Sequence, residues 1–174
     1  LDPKVTNVVA FSSGNHAQGV ACAALSRGLQ ATIVMPKDSP RGKIEGTKAY
    51  GARVVLYDRY TETREAIGAQ IAIKKRARLI KPYDDIRVIA GQGTVGLEIA
   101  AQAAAKQAKI DAIICCCGGG GLIAGISIVA SDQIPGVQIW SAEPEFYDDT
   151  LRSLTSGKIE TADIKQPSIC DAIV

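Results

Sequence analysis

Three stretches of the sequence gather residue types that can do chemistry, and each stands where an apolar run gives way to an alanine-rich one. In Phe11-Ser12-Ser13-Gly14-Asn15-His16, two hydroxyls and a carboxamide flank a glycine. Backbone amides left free at a helix start, with such donors beside them, form a receptor for a carboxylate or another anion. Ser and Asn are also common capping residues, so a plain N-cap is the competing reading. In Cys117-Gly118-Gly119-Gly120-Gly121-Leu122, four consecutive glycines let several N–H groups close on an anion with no side chain in the way, and a phosphate is the natural guest. The competing reading is a flexible hinge, disfavoured because the stretch stands between a buried strand and a helix start. The third stretch, Gly91-Gln92-Gly93-Thr94-Val95-Gly96, matches G-x-G-x-x-G by letter only. The run before it is short and no acid closes a second strand at the right distance, so it reads as a helix N-terminus packed closely on another element.

The same fingerprint is harder to dismiss at the second turn. Gly119, Gly121 and Ala124 satisfy its variant form, and Glu143 ends the next strand roughly 20 residues on. A nucleotide-binding module is therefore the rival reading. No glycine-lysine-hydroxyl triplet occurs, which disfavours a P-loop NTPase. His16 is the only histidine, and neither a catalytic triad nor a histidine metal site is readily built from one imidazole. It reads as a residue that orients its turn.

Positioning these turns requires strands that end where helices begin. β-branched runs alternate with helical stretches along the chain, the pattern of a parallel sheet covered by helices. Strands are expected at 5–11, 31–35, 52–57, 112–117 and 137–142. Helices are expected at 16–27, 42–49, 62–75, 94–106, 122–130 and 150–154. Gly28, Gly51 and Gly157 follow helical stretches as left-handed caps. Lys81-Pro82-Tyr83-Asp84-Asp85 has a proline, two acids and no apolar period, and is the expected boundary between two lobes.

Composition narrows the class. The 174 residues are 47% hydrophobic and 22% charged, enough apolar content for a core and too much for disorder. A net charge of +2, with acids and bases interleaved, argues against nucleic acid as a partner. Lys74-Lys75-Arg76 reads as a helix C-terminus. No apolar run reaches the ~18 residues of a membrane span, and Leu1-Asp2-Pro3-Lys4 lacks the layout of a secretory signal, so a cytoplasmic protein is expected. Five cysteines, three of them adjacent at 115–117, fit neither a disulfide framework nor a metal cluster, and the three read as small core residues.

Taken together, Ser12-Ser13-Gly14-Asn15-His16-Ala17-Gln18-Gly19, Gly91-Gln92-Gly93-Thr94 and Gly118-Gly119-Gly120-Gly121-Leu122-Ile123-Ala124-Gly125 resemble the fold-type II pyridoxal-phosphate enzymes, in the threonine/serine dehydratase and serine racemase group. Residues 43–52 and Glu143-Pro144 extend the likeness. The resemblance implies a tryptophan-synthase-beta-like α/β fold, with parallel sheets flanked by helices and two lobes holding the cofactor between them. Residues 1–85 would be the small lobe and 86–174 part of the large one. It further implies that Gly118, Gly119, Gly120, Gly121 and Leu122 hold the cofactor phosphate and that Asn15 donates to the ring hydroxyl oxygen. Ser12, Gly14 and His16 would cradle the substrate carboxylate, with Arg64 reaching it, a residue that otherwise reads as a surface helix charge.

Ser13 matches the hydroxyl that exchanges the α-proton in the racemases of the group. A serine is a poor base without a helping neighbour, and the sequence identifies none. Glu143, the carbonyl of Tyr147 and Asp149 match a divalent-cation site, whose oxygen donors suit Mg, Mn or Ca, although Asp149 alone reads equally as an N-cap. The family's lysine lies in a Ser-x-Lys-x-Arg-Gly stretch ahead of the asparagine turn. No lysine here occupies such a motif, and the pyridine-nitrogen partner is missing too. The chain thus reads as an internal piece of a longer enzyme, inactive and poorly soluble alone. The resemblance implies a PLP-dependent dehydratase, converting a 3-hydroxy amino acid such as L-threonine to a 2-oxo acid and ammonia, as a homodimer or homotetramer. A serine racemase and a noncatalytic nucleotide or amino-acid binding module are the alternatives.

Overall fold

The computed structural model describes residues 4–162, 168–170 and 172. The stretch 1–3, read above for a secretory signal, lies outside the described residues. The chain divides into two compact units, Leu1–Pro82 and Tyr83–Val174.

The first unit alternates β1 (Asn7–Phe11), α1 (Asn15–Ser26), β2 (Gln30–Pro36), α2 (Arg41–Ala49), β3 (Arg53–Tyr57), α3 (Arg64–Lys75) and β4 (Arg78–Ile80). Its four strands are parallel in the order β3-β2-β1-β4, with Val9 opposite both Thr32 and Leu79. One face of this sheet packs Val8, Ala10, Ile33 and Met35 against Ala17, Ala21 and Ala24 of α1. The other packs Phe11, Val34 and Tyr57 against Ile67 and Ile71 of α3. Burial on both faces is why β1 and β2 read as unbroken apolar runs. The basic end of α3 behaves as expected: Lys75 donates to Thr32 Oγ1 at 3.0 Å, and Arg76 ends the helix in a left-handed conformation.

The second unit holds α4 (Ile86–Ala105), β5 (Ala112–Cys116), α5 (Gly121–Gln133), β6 (Gln138–Ala142) and α6 (Asp149–Ser156). Strands β5 and β6 pair in parallel, and Ile113, Cys115, Ile126 and Ala130 form their core. The expectation of an α/β fold with parallel sheets flanked by helices holds.

Three expectations are corrected. Helix α4 starts well before the position its glycines suggested, at Ile86 rather than at 94. The Asp85 side chain accepts from the Arg87 N–H at 2.9 Å, and Gly91, Gly93 and Gly96 lie inside the helix, not at its N-terminus. Strand β4 was not anticipated, because three residues are too few to show a period. Cys116 is exposed rather than core, since the residues alternate faces and only Cys115 and Cys117 of the three are buried.

The glycines of α4 are explained by contact with α5. A Cβ on Gly96 would sit 3.0 Å from Val129 Cβ, and one on Gly125 would sit 2.6 Å from the Gly93 amide nitrogen. The obstacles at Gly125 are backbone atoms, which cannot swing aside. Gly125→Ala should therefore destabilise the complete polypeptide by about 3 kcal/mol, the upper range for overpacking. A urea midpoint equal to that of the wild type would show that the helices are not in backbone contact.

Candidate functional site

The candidate residues collect at the carboxyl ends of parallel strands, where ligands of such sheets are commonly bound. In the first unit, β1 runs into the turn 12–15. The Ser12 N–H donates to the Val34 carbonyl at 3.1 Å, and Ser12 Oγ accepts from the Gly14 N–H at 3.2 Å. Gly14 is the N-cap residue of α1, and no side chain caps this helix start. The plain-cap reading of Ser and Asn is thus not what is seen. The first-turn amides keep the positive end of the helix open to an anion.

Two cations have contacts next to this turn, one with Phe11 and one with Gly14. The Arg64 guanidinium lies over the Phe11 ring, 5.5 Å from its centroid, while its Nε donates to Glu65 Oε1 at 2.8 Å. Phe11 immediately precedes Ser12, so Arg64 is tied to the residue that leads into the turn. The Tyr57 hydroxyl is raised above its usual range chiefly by burial, with the Arg64 charge pulling the other way. The second cation is Lys43, which sequence reasoning had not placed here. A Cβ on Gly14 would meet its Cδ at 2.9 Å and its Nζ at 3.1 Å. The end of the lysine side chain therefore packs on Gly14, and a Cβ there would displace it. Nothing in the local sequence signals this, because the contact joins α2 to the β1–α1 turn.

His16 is partly buried, and its ring faces the Ile80 carbonyl at the end of β4. Burial lowers its pKa, the hydrogen bond to that carbonyl partly opposing, and Nε2 is buried without a partner. The neutral ring places its proton toward Ile80 and leaves Nε2 as a lone pair. A histidine whose folded pKa is depressed binds its proton less readily than in the unfolded chain, whose value is near 6.5. Its contribution therefore makes stability full above about pH 6.5 and progressively smaller as pH falls below it. His16→Gln should flatten the loss in denaturation midpoint between about pH 7.5 and pH 5.5 relative to the wild type. Equal losses in the two proteins would exclude this role.

In the second unit, β5 runs into the tetraglycine turn. The Cys117 N–H donates to the Ala142 carbonyl at 2.9 Å, continuing the sheet, and Cys117 Sγ lies 3.3 Å from Thr150 Oγ1. Gly120 has φ of 77°, a left-handed conformation natural to glycine, and it is the N-cap of α5 with no side chain capping it. Gly121 opens the helix and is buried, and Leu122 packs against the core of this unit. The turn is thus a helix start without side chains. The Tyr83 ring lies directly against the Gly119 α-carbon.

Glu143, at the end of β6, accepts from the Thr150 N–H at 2.9 Å with Oε1 and from the Leu151 N–H at 3.0 Å with Oε2. It, and not Asp149, caps α6, whose first residue is Asp149. Each oxygen retains lone-pair capacity toward a cation. Tyr147 is buried, and its N–H donates to the Pro144 carbonyl at 3.0 Å. Among the described residues no group of three or more His, Cys, Asp and Glu side chains is placed to hold a metal ion. An ion at this corner would have to rely on two carboxylates and a carbonyl.

The model of the family described as "Pyridoxal-phosphate dependent enzyme" matches residues 3–174. L-threo-3-hydroxyaspartate ammonia-lyase of Saccharomyces cerevisiae is 45% identical over 152 residues, covering 87% of this chain and 45% of that protein. Serine racemase of Schizosaccharomyces pombe is 39% identical over 152 residues, covering 87% of this chain and 46% of that protein. Among solved structures, maize serine racemase superposes with a TM-score of 0.83 at 40% identity, over 92% of this chain and 47% of that one. A threonine deaminase structure superposes with a TM-score of 0.88, also at 40% identity, over 98% of this chain and 55% of that one. The chain spans about half the length of these relatives. Since the family match takes in the uncapped turn at 12–15, the tetraglycine turn and the parallel strands that carry both, this chain belongs to the pyridoxal-phosphate dependent enzymes.

Proposed function

We propose that the protein of which this chain forms part is a PLP-dependent ammonia-lyase that dehydrates a 3-hydroxy amino acid, such as L-threonine, to a 2-oxo acid and ammonia. The observation that carries this reading is the pair of uncapped helix starts at the ends of β1 and β5, one flanked by cations and the other bare of side chains. Residues 1–85 act as the small lobe and 86–174 as part of the large lobe. Gly118, Gly119, Gly120, Gly121 and Leu122 hold the phosphate through backbone amides, and Asn15 donates to the ring hydroxyl oxygen. Ser12, Gly14 and His16 shape the substrate-carboxylate turn, and Arg64 pairs with that carboxylate. Bound PLP supplies the sink for the electron pair left when the α-proton departs.

Within that reading, Glu143, Tyr147 through its carbonyl, and Asp149 bind a divalent cation. Oxygen donors suit Mg, Mn or Ca, and the ion would brace the end of β6 against α6. The complete enzyme is cytoplasmic and a homodimer or homotetramer. Free cysteines at 22, 115, 116, 117 and 170 suit a reducing compartment, and no helix among the described residues is long and apolar enough to cross a membrane. A serine racemase is the second reading, supported by the likeness to the Schizosaccharomyces pombe enzyme and by Ser13 beside the carboxylate turn.

The test is a visible spectrum of the complete natural polypeptide before and after borohydride reduction, with mapping of the pyridoxylated peptide. Assays for 2-oxo acid and for D-serine would follow on L-threonine, L-serine and L-threo-3-hydroxyaspartate. A labelled lysine and 2-oxo acid release establish the lyase. D-serine as the main product moves the racemase first, and absence of chromophore and label leaves a binding module.

A further inference from the structure

Four glycines in a row have no side chains with which to hold themselves, and ordering each residue costs about 1–2 kcal/mol of backbone entropy. A cradle built from them binds tightly only if something else fixes it beforehand. Three of the four have visible anchors. Gly118 follows Cys117, whose N–H is tied to β6; the Gly120 carbonyl accepts from the Ala124 N–H at 2.9 Å; and Gly121 is buried at the start of α5. Gly119 is exposed, and the three atoms nearest the place of its missing Cβ all belong to the Tyr83 ring.

That ring belongs to the segment that leads directly into α4. Tyr83 stands two residues before Asp85, which caps α4, and α4 is pressed onto α5 where Gly125 meets the Ile89 carbonyl and the Gly93 amide. Tyr83 leads into one helix, the glycine turn leads into the other, and the two helices are interlocked just beyond. We propose that Tyr83 is a positioning residue for the phosphate cradle: its ring, through packing and not through its hydroxyl, holds Gly119 in the binding conformation before the phosphate arrives. This rests on the reading of the turn as a phosphate site.

The experiment compares PLP with pyridoxal, which lacks the phosphate. Apo forms of the complete natural polypeptide, wild type, Tyr83→Phe and Tyr83→Ala, are titrated with each by absorbance. Their thermal midpoints are measured alongside. Tyr83→Ala should weaken PLP about tenfold, equivalent to about 1.4 kcal/mol, and leave pyridoxal affinity unchanged, while Tyr83→Phe restores PLP affinity. Equal affinity of Tyr83→Ala and wild type for PLP overturns the proposal, as does an equal loss for both ligands. Failure of Tyr83→Phe to rescue also overturns it, because the hydroxyl would then be responsible. If Tyr83→Ala does not fold, Tyr83→Leu carries the same test, since it keeps bulk without the flat ring, and the same phosphate-selective loss is required. Failure of the wild type to bind PLP at all would instead refute the proposed function, so the two failures are distinguishable.

Discussion

If the proposed function holds, Arg64→Ala in the complete polypeptide should lower kcat/KM for an amino-acid substrate about 100-fold, with PLP affinity unchanged. The guanidinium is half-buried, lies over Phe11 and meets Tyr57 and Glu65, so its position is set before substrate arrives. A hydrogen bond from a charged donor to a carboxylate is worth about 1.5–3 kcal/mol, or about 10- to 100-fold in rate. Loss of the cation also leaves an anionic group in a partly desolvated turn, which favours the upper end of that range. Arg64→Lys keeps the charge but not the planar fork, and should recover only part of the loss. Steady-state kinetics with a parallel PLP titration decide the matter. Activity within about threefold of wild type would return Arg64 to the status of a surface charge, since threefold is less than about 1 kcal/mol.

The second large effect concerns the 174-residue chain expressed alone. Ile114 and Trp140 are partners in the β5–β6 register and are 74% and 57% exposed, while their neighbours Ile113 and Ile139 face the core. A two-stranded sheet with one bare apolar face is marginal in water, and burying each such side chain is worth about 2 kcal/mol. The chain should therefore self-associate at micromolar concentration. The double variant Ile114→Lys with Trp140→Glu places an opposite-charge pair on that face and should restore a monomer. Size-exclusion chromatography with light scattering tells the two apart. A monodisperse, monomeric wild-type chain would refute the argument.

Strand positions were legible because parallel strands covered on both faces, such as 8–11 and 31–35, must be continuously apolar. Both candidate turns were legible for a different reason, since a strand ending in serine, asparagine or glycine ahead of a helix leaves its mark within a short stretch of chain. Helix α4 was misread because glycine's local preference argues for a turn, whereas Gly93 and Gly96 are there for the sake of Val129 on another helix. The Lys43 contact with Gly14 and the Tyr83 contact with Gly119 were invisible for the same reason. They join residues far apart in the chain, and no periodicity records them. Glu143 was noticed as an acid at a strand end, but its employment by the α6 amides depends on where α6 starts in space.

Helices that touch through side chains can slide past one another by small rotamer changes, but α4 and α5 meet backbone to backbone at Gly93 and Gly125, with no compressible layer between them. A displacement of the glycine turn at the head of α5 should therefore carry with it α4, a 20-residue helix about 30 Å long.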